Sequence, residues 1–126
     1  MTTFRTFEDI DAWKESRVLI KKIREICKRS AVRRDFVLVD QITRASRSIA
    51  ANIAEGNDAL SVPQFITFLG YAKRSAAEVR AHLYDLIDEQ YITNIEFEDL
   101  AISCRKIARM LSKLISYLET VENDRK

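Results

Sequence analysis

Lys14, Arg17, Lys21, Arg24 and Lys28 follow one another at intervals of three, four, three and four residues. On a helix that advances about 100° per residue, such cations fall within an arc of roughly 80°. A rail of this kind can neutralise about five phosphates of a nucleic acid and release their counterions, which makes binding strong at low salt and weak at high salt. Arg105, Lys106, Arg109 and Lys113 repeat the theme further along the chain, so Arg105 and Arg109 join the first five as candidate nucleic-acid-binding residues. Neither series is interleaved with aromatic residues that could stack on bases. The contact expected with RNA or DNA is therefore with the backbone and carries little sequence preference. A solvated helix face has the same spacing, and at the level of sequence both readings stand.

A second series, Gln41, Arg44, Ser48, Asn52 and Glu55, runs beside the apolar residues Ile42, Ala45, Ile49 and Ile53. It too covers an arc of about 80°, at the edge of the apolar one. Polar groups placed there must find partners, because an unpaired buried donor or acceptor costs about 1–3 kcal/mol. Ser75 and Glu78 are natural partners. The expectation is a structural polar seam toward a later helix or a neighbouring subunit, not a catalytic site.

Other chemistry finds little support. A di-metal carboxylate site in a helical bundle uses paired Glu-x-x-His motifs, whereas the one histidine, His82, follows Glu78 by four positions. Glycine-rich phosphate loops and Ser-His-acid arrangements are missing. Cys27 and Cys104 lie at separate apolar positions without metal-ligand spacing and read as buried thiols. No catalytic residue, metal, cofactor or small-molecule substrate is expected, and the chain reads as a non-enzyme.

The elements that must carry these residues are helices. Two glycines and one proline in 126 residues leave few places for the backbone to turn, which favours a few long helices over many short strands. Hydrophobic residues at 47% and charged residues at 32% fit an ordinary globular balance. Capping signals set the boundaries: Thr6 with Asp9, Asp35, Ser61 with Pro63 and Gln64, and Thr93 with Glu96. Gly56 is placed as a left-handed cap ending the second helix. Helices are expected at about 7–29, 35–55, 62–90 and 94–122, forming a single all-α domain, an antiparallel up-down-up-down four-helix bundle. No apolar run approaches the roughly 20 residues that span a bilayer, and the N-terminus lacks an apolar signal stretch, so a cytoplasmic protein with no membrane contact is expected.

Net charge is only +2, but eleven Lys/Arg face four Asp/Glu between Lys14 and Arg47, while six acidic and no basic residues lie between Asp85 and Asp99. In an up-down bundle the basic turn after the first helix and the acidic turn before the fourth share one end, where they can neutralise each other or pair between chains.

Phe7-Glu8-Asp9-Ile10 with Trp13-Lys14, Gln41-Ile42 with Arg44-Ala45, Ser48-Ile49, Asn52-Ile53-Ala54-Glu55-Gly56, Phe65 with Phe68-Leu69 and Ala72, and Ser75 with Glu78 form a recognisable set. From about Phe7 to Ile92 the chain resembles the four-helix bundle proteins encoded by intervening sequences in bacterial large-subunit ribosomal RNA genes. The resemblance implies a small bacterial, non-enzymatic bundle. It also implies homo-oligomers, with a ring of five favoured, because the related accessory proteins of diversity-generating retroelements form such rings. Those relatives bind nucleic acid and a reverse transcriptase through basic surfaces. The chain departs from the family pattern at Arg74, where the family usually has glycine before the serine of the third helix. Two functions follow as expectations: a homo-oligomeric bundle holding nucleic-acid backbone, or a scaffold or adapter acting through protein contacts alone.

Overall fold

A computed structural model of the chain describes residues 6–125. One 3-10 turn, Phe7–Asp9, precedes four helices: α1 (Asp11–Cys27), α2 (Phe36–Asn57), α3 (Val62–Asp88) and α4 (Asn94–Arg125). Each helix packs on its neighbours in chain order and α1 closes the circuit against α4, with no close backbone approach between α1 and α3 or between α2 and α4 among the described residues. Short connections between adjacent helices make successive helices antiparallel. The protein is an all-α four-helix bundle.

Helical periodicity explains the core. Leu19 and Ile23 of α1, Ile42, Ile49 and Ile53 of α2, Leu69 and Leu83 of α3, and Ile107 and Leu111 of α4 are all completely buried. Burying each such side chain contributes about 1.5–3 kcal/mol. The α1–α2 turn is tied in by Val32, also completely buried. Ser16 and Ser46 are buried as well, and each hydroxyl donates to a carbonyl one turn earlier in its own helix, Trp13 at 2.6 Å and Thr43 at 3.0 Å.

Three of the four expected helix starts follow from their caps. The Asp35 carboxylate accepts from the Leu38 amide at 3.4 Å. Ser61 accepts from the Gln64 amide at 3.3 Å, while the Gln64 side chain turns back to accept from Leu60 N–H at 3.0 Å. Thr93 and Glu96 form a reciprocal capping box, 2.9 and 3.1 Å.

The first helix departs from expectation. Thr6 makes no side-chain cap, and the chain completes its 3-10 turn and breaks at Ile10 (φ −80°, ψ 121°) before α1 begins at Asp11. Tertiary packing fixes this entry: Ile10 is buried, and the Phe7 ring meets Trp13 edge-on at 5.2 Å. α3 ends at Asp88 rather than Gln90 through a Schellman motif, in which Tyr91 N–H donates to Leu86 O (2.9 Å) and Gln90 N–H to Ile87 O (3.0 Å). Gln90 takes the left-handed conformation (φ 61°) that glycine usually supplies.

Gly56 is not a left-handed cap. Among the described residues no glycine has positive φ, and Gly56 lies inside α2, buried against α3. A Cβ there would sit 2.9 Å from both Phe65 Cδ1 and Phe68 Cβ. The residue is small because the two helices approach closely, not because the backbone turns.

Candidate nucleic-acid interface

The buried row Leu69, Ala72, Ala76 and Leu83 turns Lys73 and Arg80 toward the α4 edge of α3. On α4, burial of Cys104, Ile107 and Leu111 turns Arg105, Ala108, Arg109, Ser112 and Lys113 toward α3. Together these seven residues line a groove of about 460 Å³ between the helices. Five are cations and none is acidic. Beneath them, burial pushes the Cys104 thiol up to about 11, against the opposing pull of the nearby Arg80 and Arg105 charges. The groove itself offers five cations and no acidic group.

The α1 cations lie elsewhere. Arg17, Lys21, Arg24 and Lys28 flank a depression of about 470 Å³ that also contains Glu25. Volume does not separate the two surfaces; charge does. Lys28 pairs with Glu25 at 3.2 Å and Lys14 lies 3.8 Å from Asp11, so two of the five α1 cations have acidic neighbours on their own helix. The Arg17 guanidinium lies over the Trp13 ring, 5.8 Å from its centroid. Glu15 and Lys22 mark the edge of α1 that faces α4, through Lys106 at 3.1 Å and Asp99 at 3.0 Å. Arg17, Lys21 and Arg24 occupy the opposite side of α1. The seven candidates thus divide between two faces: Arg105 and Arg109 in the α3/α4 groove, and the α1 series outside it.

Lys73 and Arg80 line this groove but belong to neither basic series of the sequence. Their spacing of seven residues puts them on one row of a helix, a usable signal, but only the rotation of α3 against α4 shows that this row meets Arg105 and Arg109.

The polar row on α2 divides as well. Ser75 donates to Ser48 Oγ at 2.9 Å, and the Asn52 amide donates to Ser48 Oγ at 3.0 Å and Ser48 O at 2.9 Å, joining α2 to α3. Gln41, Arg44, Glu55 and Glu78 are exposed. Arg44 pairs with Asp40 on its own helix at 3.0 Å, and Glu78 lies 3.5 Å from His82. The seam is a three-residue link, because the other four positions face solvent rather than the α2–α3 contact.

At the end shared by the two turns, Arg29 forms a two-pronged ion pair with Glu96 and donates to Tyr91 O at 3.1 Å. The Tyr91 hydroxyl donates to Asp35 at 3.1 Å. Arg29, with help from the Thr93 amide, lowers the Glu96 carboxyl from 4.5 to about 2. A carboxylate depressed on folding stabilises the protein fully above its unfolded value and loses that contribution as pH falls toward the folded one. Stability from Glu96 is therefore intact above about pH 4.5 and lost between there and pH 2. Thermal melts across that interval should show a smaller acid-induced drop for Glu96→Gln than for the wild type; equal drops would mean that the pair is too solvated to matter.

The family model for the 23S rRNA-intervening sequence protein matches residues 8–113. The chain belongs to this family. A search of curated proteins finds no match. Among solved structures, the chain is similar to a protein of unknown function from the S23 ribosomal protein family of Bacteroides thetaiotaomicron, with 30% identity and a TM-score of 0.77, over 83% of this chain and 95% of that one. The bundle is thus common to the family member and its structural relative. No helix among the described residues is long and apolar enough to cross a membrane, and no group of three or more His, Cys, Asp or Glu there could hold a metal ion.

Proposed function

We propose that this member of the family is a non-enzymatic, homo-oligomeric bundle that holds the sugar-phosphate backbone of RNA or DNA in the α3/α4 groove. The observation that carries the reading is the convergence of Lys73, Arg80, Arg105, Arg109 and Lys113 on one acid-free groove. Cations collected without counter-charges attract a polyanion, whereas Lys22, Arg29 and Lys106 are already paired with carboxylates. Fluorescence anisotropy with labelled RNA and DNA over a range of salt tests it. Binding that weakens steeply with salt and is lost on Arg105→Glu/Arg109→Glu supports the groove; binding indifferent to both overturns it.

A second reading, a scaffold or adapter built by self-assembly, draws on different residues. Arg17, Lys21 and Arg24 on α1, and Asp88, Glu89 and Glu98 near the α3–α4 turn, have no ion-pair partner among the described residues. One copy's basic face could meet another's acidic end. A ring of five, which the family resemblance favours, needs such a heterologous contact between unlike patches. Arg17→Glu/Lys21→Glu should then reduce the oligomer measured by light scattering while leaving groove-dependent nucleic-acid affinity in place. An unchanged particle mass would remove these residues from assembly.

A further inference from the structure

We infer that the strand held in the α3/α4 groove is single, and that Tyr84 is the platform on which one of its bases stacks. The inference rests on the groove being the backbone site proposed above, and it adds a class of ligand and a residue that reads it. Tyr84 lies one turn beyond Arg80 on the same edge of α3. Its side chain leans toward α4, where its ring meets Phe97 edge-on, with centroids 5.0 Å apart and planes inclined at 67°. Phe97 is half-buried, so it anchors the tyrosine from below. Tyr84 nonetheless remains 54% exposed. An aromatic ring fixed at its edge and open to solvent beside a row of cations is the arrangement that single-strand binders use, with phosphates on the charges and a base on the ring.

The dimensions of the groove agree. Arg80 and Lys73 are seven residues apart and Arg105 and Lys113 eight, so each wall extends about 10–12 Å at 1.5 Å per residue. That length accommodates about two or three phosphates of one extended strand. Tyr84 and the groove cations share one edge of α3, so a strand whose phosphates follow the cations can lay a base on the ring only where that base is unpaired. Ile102 is 57% exposed and lies on the Arg109 row of α4, seven residues before it, at the Tyr84 end of the groove. It extends the apolar surface available to a base that leaves the phosphate track.

The test uses the full chain and three labelled probes in fluorescence anisotropy: a short oligouridine strand, an abasic strand of equal length, and a duplex of equal length. Oligouridine should bind more tightly than the duplex. Tyr84→Leu should weaken oligouridine binding about tenfold, within the range for losing one base stack, and leave the abasic strand unaffected. Tyr84→Phe should retain wild-type affinity, which guards against a fold defect in the leucine variant. Equal binding of oligouridine by wild type and Tyr84→Leu overturns the inference, as does an equal loss on the abasic strand. If Arg105→Glu/Arg109→Glu weakens every probe while Tyr84→Leu weakens none, the groove stands and the stacking platform falls. If neither substitution changes binding, both fall.

Discussion

Gly56→Val should destabilise the bundle by about 3 kcal/mol in urea denaturation. A Cβ at this position meets Phe65 Cδ1 and Phe68 Cβ at 2.9 Å and the Phe65 carbonyl oxygen at 3.3 Å. None of these atoms can retreat easily: Phe65 is 1% exposed, Phe68 Cβ is fixed to the α3 backbone, and the carbonyl belongs to the helix itself. Overpacking of this kind costs about 1–3 kcal/mol for modest insertions, and valine adds two methyl groups to the clash. The gain in helix propensity over glycine, below about 1 kcal/mol, offsets only part of it. Gly70→Ala is the matching control. Nothing lies within 4 Å of a Cβ built at Gly70, so the same kind of change should stabilise by about 0.5–1 kcal/mol. A neutral Gly56→Val would show that α2 and α3 can separate without loss.

Arg105→Glu/Arg109→Glu should weaken single-strand binding by roughly 10²–10³-fold at 0.1 M salt. Each neutralised phosphate contributes about 0.7 of a logarithmic unit per tenfold change in salt on a single strand. Reversing two of the five groove cations removes four units of charge from their total, which leaves the groove with a net charge near that of one cation. The dependence on salt should flatten in parallel, since fewer counterions remain to be released. A loss of affinity with an unchanged salt slope would point to distortion of α4 rather than to lost phosphate contacts. Circular dichroism melts distinguish the two, because both arginines are exposed and their reversal should leave the fold intact.

How far such features were legible in the sequence depended on whether the interacting groups lie close along the chain. Ser61 with Gln64 and Thr93 with Glu96 were readable because a cap acts over three residues. The bundle itself was readable because its apolar rows have one period. Gly56 was not, because a glycine near a helix end has two physical explanations and only the phenylalanines of α3 decide between them. The α1 series is legible in full because all five cations sit on one helix. Yet Asp11 lies three residues before Lys14 and Glu25 three before Lys28, which is the spacing of a same-helix pair. The groove was half visible: Arg105 and Arg109 could be named, whereas Lys73 and Arg80 belong to it only through the rotation of one helix against another. Tyr84 is hidden for the same reason, being far from the α4 cations in sequence but one turn from Arg80 on α3.

The residues joining Arg29, Glu96, Tyr91 and Asp35 have a further consequence for how the molecule comes apart. They couple the α1–α2 turn to the α3–α4 turn, and Asp35 also caps α2 while Glu96 caps α4. The same two carboxylates thus serve a helix cap and a cross-link between turns, which couples the opening of this end to the fraying of α2 and α4. At the opposite end, the α2–α3 loop carries Leu60, 96% exposed, and the side-chain hydrogen bonds of the Ser61 cap stay between the loop and the first turn of α3. Partial opening should begin there, so the bundle behaves less like four equal staves than like a clothes-peg, sprung at one end and free to part at the other.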